Sequence, residues 1–155
     1  MNLFIDGKQN NFNYELILVS LSNIIIIKIN EEKETLFQYL DFEKYKHLNI
    51  DYNFVCLQII KSDYGNEIAL VGTKYGGLLI FDPEELVVWG FIQNLINNVT
   101  ISKIYYFQNK DKSKLIITKS NCIHIFEMKS FLTISEFIVF LDNSSNSLIT
   151  SEEII

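Results

Sequence analysis

Short apolar runs alternate with polar turns along most of the chain, and the same order recurs three times. In the middle copy an apolar run at 68–71 is followed by a Gly-containing turn, a second run at 78–81, an acidic turn and a third run at 86–92. Corresponding stretches begin at Glu15 and at Lys114. Apolar runs of this length, bounded by turn residues, are typical of buried β-strands. The pattern therefore predicts three copies of one antiparallel sheet unit.

Each copy is preceded by one more candidate strand. Residues 54–60 precede the second copy, 99–107 precede the third, and either 2–6 or 11–14 supplies the first. Four short strands per unit, repeating about every 40–50 residues, are features of β-propeller blades. We therefore predict an all-β fold of about three four-stranded antiparallel blades. Their predicted bounds are 1–49, 50–97 and 98–141, with 142–155 forming a loop and the start of a further strand.

The second runs of two copies resemble the third strand of a WD40-type blade. These are Leu78-Leu79-Ile80-Phe81-Asp82 and Ile123-His124-Ile125-Phe126-Glu127. Phe-Asp replaces the family's Trp-Asp pair, and the chain has no Gly-His pair. The resemblance covers about 14–140. It implies a non-catalytic protein-interaction scaffold, acting as one subunit of a larger intracellular complex and binding through loops at the rim or top of the propeller.

Those loops supply the candidate partner-binding residues. The turns at 63–66, 74–77 and 108–113 are polar and connect predicted strands. The candidate contact residues within them are Asp63, Tyr64, Asn66, Lys74, Tyr75, Lys110 and Lys112. We expect other protein subunits to bind there.

Two segments also fit helices, which gives an alternative fold. Asn30 is a suitable N-cap for a helix within 31–48. Asp82, Pro83 and Glu85 match the N-cap, first and third positions of a helix within 83–97. Helices at both places would make the chain a compact α+β domain that dimerises or binds a small molecule. The repeat pattern favours strands instead.

Three blades do not close a propeller, which needs at least about four. Open end blades would leave strand edges and apolar faces uncovered. We therefore expect that 1–155 is part of a longer chain or that a partner supplies the missing closure.

Composition narrows the class of protein. The 155 residues contain two cysteines, a number that suits a reducing compartment, and no run long enough for a membrane helix. The start of the chain lacks the features of a signal peptide. We expect a cytoplasmic or nuclear protein without membrane insertion. The net charge is −6 and arginine is absent, which disfavours nucleic acid. The lysine-rich stretch 103–129 leaves RNA binding as a further alternative.

No residue pattern indicates catalysis, a metal or a cofactor. His47 lies in a polar stretch and is expected at the surface, whereas His124 lies between two isoleucines and is expected in the core. Cys56 lies within an apolar strand and is expected to be inert. Tyr105, Tyr106 and Phe107 could stack on bases, but their strand position favours core packing. A single pair such as Cys122 and His124 falls short of the four ligands of structural zinc.

Overall fold

The computed structural model describes residues 2–6, 14–20, 22–62, 65–96, 99–109, 112–119 and 122–128, and within these ranges the chain is mostly β. It forms three antiparallel sheets in which strands that are consecutive in sequence are neighbours. The first sheet contains β1 (Asn2–Asp6), β2 (Tyr14–Val19), β3 (Ile24–Ile29) and β4 (Thr35–Tyr39). The second contains β5 (Phe54–Lys61), β6 (Glu67–Thr73), β7 (Leu78–Asp82) and β8 (Val87–Ile92). The third contains β9 (Lys103–Asn109), β10 (Lys112–Lys119) and β11 (Cys122–Met128).

The three predicted sheet units are therefore confirmed. Of the two segments proposed for the first strand, 2–6 is the one that pairs with β2. The fourth strand predicted for the third unit, at 131–140, and the further strand predicted within 142–155 lie outside the described residues.

The helix considered for 83–97 is wrong. Asp82 Oδ1 does accept the backbone N–H groups of Glu84 and Glu85, at 2.8 and 3.0 Å, as an N-cap would. However, Leu86 adopts φ +58°, a left-handed conformation that ends the helical geometry after one turn. The next residues, Val87–Ile92, pair with β7 across a bulge. A helix throughout 31–48 is also wrong, since 35–39 is a strand and only Phe42–Leu48 forms a 3-10 helix.

The second sheet lies between the other two, and its strands are buried on both faces. Alternate residues of β6 point to opposite sides. Ile68 and Leu70 pack in one core cluster with Ile104, Leu115 and other residues of the third sheet. The residues on the other face of the second sheet pack against the first sheet in a second cluster. This cluster contains Ala69, Val71, Leu79 and Phe81 of the second sheet and Ile17, Val19, Ile24 and Ile26 of the first. All seven residues of β6 are buried, which explains its unbroken apolar run.

The first strands of the sheets bring the three sheets together. β5 contacts β1 on one side and β9 on the other. The second sheet therefore meets the third through their first strands, just as the first sheet meets the second.

The outer faces of the first and third sheets are not covered by another of the described sheets, and their residues are partly or largely exposed. Leu16, Ile27 and Phe37 form a cross-strand row on the first sheet, directly beside the row of Leu18, Ile25 and Tyr39. We call these six residues the first face. On the third sheet Tyr105, Ile116 and Ile125 form the central row, with Phe107 and Ile123 beside it. We call these five residues the third face.

Candidate interaction surface

Three connections meet at one end of the second sheet. They are the segment 40–53 between β4 and β5, the turn 74–77 between β6 and β7, and the segment 93–102 between β8 and β9. The turn is bonded to both neighbours through its backbone. The Lys74 N–H donates to the Asn53 carbonyl at 2.8 Å, and the Thr100 hydroxyl donates to the Lys74 carbonyl at 2.9 Å. The Ile96 N–H donates to the Gly76 carbonyl at 3.2 Å. The sheet therefore fixes the positions of all three connections.

Asp51 links the first connection to the turn. Its Oδ1 accepts from the backbone and side-chain N–H groups of Asn53, at 3.1 and 2.8 Å, and its Oδ2 accepts from the Tyr75 N–H at 3.3 Å. Burial raises the pKa of this carboxyl. The hydrogen bonds from Asn53, Thr73 and Tyr75 together outweigh that effect and hold the pKa below its usual value. Asp51 is therefore ionised at neutral pH and serves as an acceptor for the turn.

The 3-10 helix Phe42–Leu48 forms one wall of this end. Asp41 caps it by accepting the Glu43 N–H at 3.1 Å, and Asn49 ends it with φ +50°. Phe42 anchors it to the sheet because its ring lies 5.4 Å from the Tyr52 ring and 5.5 Å from the Phe54 ring. These edge and tilted contacts hold the helix against β5.

A groove of about 830 Å³ opens between the helix, the end of β4 and the turn 20–23. Its most exposed aromatic side chains are Tyr39 and Tyr52, 63% and 37% exposed. Lys46 and Glu43 form an ion pair on its rim, and this hydrogen bond raises the pKa of Lys46. The other lining residues are Ser22, Asn23, Leu40, Asp41, Phe42, Asn49 and Ile50. The groove thus combines aromatic surface with polar groups that can donate or accept hydrogen bonds. We call this part of the molecule the groove end.

A smaller hollow of about 140 Å³ lies beside the groove and shares Asn49 with it. Tyr75, Phe91 and Gln93 contribute aromatic and amide groups to its wall. The Gln93 side chain donates to the Asn49 carbonyl at 3.4 Å, which ties the two walls together. The two depressions form one surface that extends from the first sheet to the second.

Of the four predicted contact residues that lie within the described part of the chain, Lys74 and Tyr75 lie at this end. Asn66 lies in the turn before β6, and the turn after β6 carries Lys74, so the two positions are separated by the whole strand. A strand of seven residues is about 24 Å long. The structure does not bring these two loops together. Asp63, Tyr64 and Lys110 lie outside the described residues, and only the backbone of Lys112, at the start of β10, is described.

The groove residues themselves were not among the sequence candidates. The segment 40–53 has no repeat counterpart, and its apolar residues follow no regular period. The Asp-x-Glu cap at 41–43 followed by Lys46 was the available signal for a helical turn. Nothing in the sequence shows that Ser22 and Asn23 lie across the groove from it.

The cysteine and histidine side chains give no sign of a reactive centre in the described part of the chain. Burial raises the pKa of Cys56 to about 11, so the thiol is protonated and unreactive at neutral pH. His47 is exposed and His124 is buried, as predicted. Burial lowers the pKa of His124, and neither ring nitrogen has a hydrogen-bond partner among the described residues. No three His, Cys, Asp or Glu side chains of the described residues are grouped to hold a metal ion.

The aromatic residues of β9 are only partly core residues, which corrects the prediction for two of them. Tyr106 packs against the core between the second and third sheets. Tyr105 and Phe107 point the other way and are 40% and 58% exposed. Strand alternation requires this, because Ile104 and Tyr106 face inward opposite Ile117 and Leu115.

The lysine side chains that the structure describes in the third sheet do not all lie unpaired at the surface. Lys103 is exposed, but Lys114 pairs with Glu127 at 2.9 Å across the sheet. Lys110 and Lys129 lie outside the described residues.

No protein-family model, curated protein or solved structure matches this chain. Across the described residues, the structure contains no helix with the length and hydrophobicity that a membrane crossing requires.

Proposed function

We propose that this chain is a non-catalytic protein-interaction module with WD40-like propeller architecture, and that it binds partner proteins at the groove end. The observation that carries the proposal is the groove itself. Exposed tyrosines line it, and its walls are fixed to a sheet that is buried on both faces. Tyrosine is enriched among the residues that dominate protein interfaces. Rigid walls reduce the entropy that binding must overcome.

The propeller architecture is supported by the arrangement of the sheets. Each is an antiparallel meander, and the first strands contact one another from sheet to sheet. In a propeller the first strand of each blade lies nearest the axis, so such contacts are expected. The described connections at the groove end are those that precede β5 and β9 and those between β2 and β3 and between β6 and β7.

A peptide selection tests the proposed binding site. A displayed library of random peptides is panned against the intact chain, and the affinity of enriched peptides is measured by fluorescence anisotropy. The matched variants are Tyr52→Ser with Lys46→Ala in the groove, both outside the first and third faces, and Trp89→Ser on β8. Trp89 is also an exposed aromatic residue, 47% exposed, but does not line the groove.

We expect the groove variant to lose at least tenfold in affinity, about 1.4 kcal/mol. The Trp89→Ser variant should bind like the unmodified chain. Enriched peptides that bind the groove variant with unchanged affinity would show that the groove is not the binding site.

A further inference from the structure

We propose that two copies of this chain associate head to tail, with the first face of each copy packed on the third face of the other. Two such contacts form one ring. The inference builds on the proposed propeller architecture, and its first face shares Tyr39 with the groove.

The chemistry of the first face fits a buried position. Its six residues are leucine, isoleucine, phenylalanine and tyrosine, and the two rows contain no charged residue. Phe37 is 55% exposed and Tyr39 is 63% exposed. The corresponding face of the second sheet, which contains Ala69, Val71, Leu79 and Phe81, is also apolar and is covered by the first sheet. A contiguous apolar face of this kind marks an interaction site.

The third face is apolar at its centre and charged at its margin. Tyr105, Ile116 and Ile125 lie in one row, and Phe107 is 58% exposed beside them. The next row along the sheet contains the Lys114–Glu127 ion pair, and Lys103 lies at the other end. Packing two third faces together would bring the positively charged lysines of the two copies close to each other. The first face carries no charge, so it can cover the third face without that repulsion.

The internal geometry of the chain already contains this contact. The first sheet covers one face of the second, and the second covers one face of the third, each time with first strands in contact. Placing the third face of one copy against the first face of another repeats the same step between molecules. Propellers typically have about four to eight blades, and two copies of the three described sheets make six. Two copies are therefore sufficient to close a ring.

The area is also adequate. At standard strand spacing and rise, five residues cover about 320 Å² on the four strands of the first sheet and about 240 Å² on the three described strands of the third. A two-copy ring covers two faces of each kind, about 1,100 Å², which is just above the ~1,000 Å² that a biological interface should exceed. A single face-to-face contact would cover only half of that. The ring closed by two contacts is thus the favoured assembly.

The mass of the chain in solution tests the proposal. Light scattering after size exclusion, at about 100 µM, should give twice the 18.1 kDa mass of the chain. Phe37→Glu changes the first face and Phe107→Lys changes the third, and each alone alters both contacts of the ring. We expect each variant alone to elute with the mass of one chain. Trp89→Lys, an exposed aromatic position outside both faces, should keep the two-chain mass and serves as the control.

Mixing the two variants gives the sharpest result. The mixed pair has one contact between unmodified faces, and its other contact carries glutamate opposite a lysine-bearing face. A two-chain species that forms only in the mixture supports head-to-tail pairing, and a mixture that stays at one-chain mass overturns it. Circular dichroism of each variant must match the unmodified chain.

Three other outcomes overturn the proposal. One is a one-chain mass for the unmodified chain, and another is a broad distribution of larger masses. The third is a Phe107→Lys variant that still has the two-chain mass, because it would mean that two first faces pair. If the one-chain species binds labelled single-stranded RNA, and Tyr105→Ala with Phe107→Ala abolishes that binding, the third face belongs to nucleic acid.

Discussion

Replacing Gly76 with alanine tests whether the turn 74–77 packs tightly against the segment 93–102, which connects the second sheet to the third. Gly76 has φ +81°, and a Cβ built there would lie 2.4 Å from the Ile96 carbonyl oxygen and 3.0 Å from that of Val99. Both contacts are with backbone atoms, which cannot move aside by a side-chain rotation. Gly65 has nearly the same φ, +80°, but a Cβ added at that position would have no described atom within 4 Å beyond its chain neighbours. The two glycines therefore share one conformational strain and differ only in packing.

The magnitudes separate the two variants. Alanine in the left-handed region costs about 1–2 kcal/mol, and this term applies to both positions. Forcing extra volume into a packed site adds about 1–3 kcal/mol, and this term applies only to Gly76. We therefore expect Gly76→Ala to lose about 1–3 kcal/mol more stability than Gly65→Ala. For a chain of this length each kcal/mol lowers Tm by roughly 2–4 °C.

Urea unfolding, followed by far-UV circular dichroism and by the fluorescence of the single tryptophan, measures the difference. Equal m-values for the two variants are required before their free energies of unfolding are compared. If Gly76→Ala is no less stable than Gly65→Ala, the 93–102 segment does not cover the turn. The groove end would then lack the rigid wall that the proposed function requires.

Three further outcomes follow from the buried polar groups. The pKa of His124 is below its usual value of about 6.5, so the free energy of unfolding should fall as the pH drops below that value, and His124→Leu should reduce this dependence in urea titrations. The pKa of Asp51 is also lowered, so its contribution is complete above about pH 4 and is lost on further acidification. Asp51→Asn places an amide N–H against that of Tyr75 or Asn53 and should cost about 1–3 kcal/mol in thermal unfolding, whereas Asp51→Asn without any loss would refute the linking role. In a Cys122→Ser variant, whose one thiol is Cys56, Cys56 should react with a thiol reagent only after urea unfolds the chain, and rapid reaction of the folded variant would contradict its burial.

The sheets could be predicted because the apolar runs show where each strand lies, and their length shows that they are strands. Runs such as Ile24–Ile29 and Leu78–Asp82 are too apolar for a surface strand and too short for a buried helix. The turn at 83–86 was ambiguous, since Asp82 and Pro83 begin a helix and a turn equally well. What decided it is the left-handed Leu86, a conformation that no side-chain preference signals.

Two features of the surface could not be predicted from the chain alone. In β9 every residue from Ile104 to Phe107 is apolar, so the pattern does not say which alternate set faces inward. Pairing with Leu115 and Ile117 decides it and leaves Tyr105 and Phe107 outside. The groove is also hidden in the sequence, because its walls come from segments about 20–30 residues apart that meet only after the first sheet has formed.

In the turn at 74–77 the backbone is held by hydrogen bonds, whereas the exposed side chains can change without affecting those bonds. The backbone groups of Lys74 are bonded to Asn53 and Thr100, and the N–H of Tyr75 is bonded to Asp51. Their side chains take no part in these bonds; Tyr75 is 50% exposed, and the Lys74 ammonium lies 5.7 Å from the centre of its ring. A substitution of either side chain therefore alters the surface without removing any bond that positions the turn. Asp51 and Asn53 lie on the connection that also carries the helix of the groove. Their hydrogen bonds to the turn therefore fix the position of the hollow relative to the groove. A partner that spans both would meet a surface whose shape is set by backbone and whose specificity is set by a few exposed side chains.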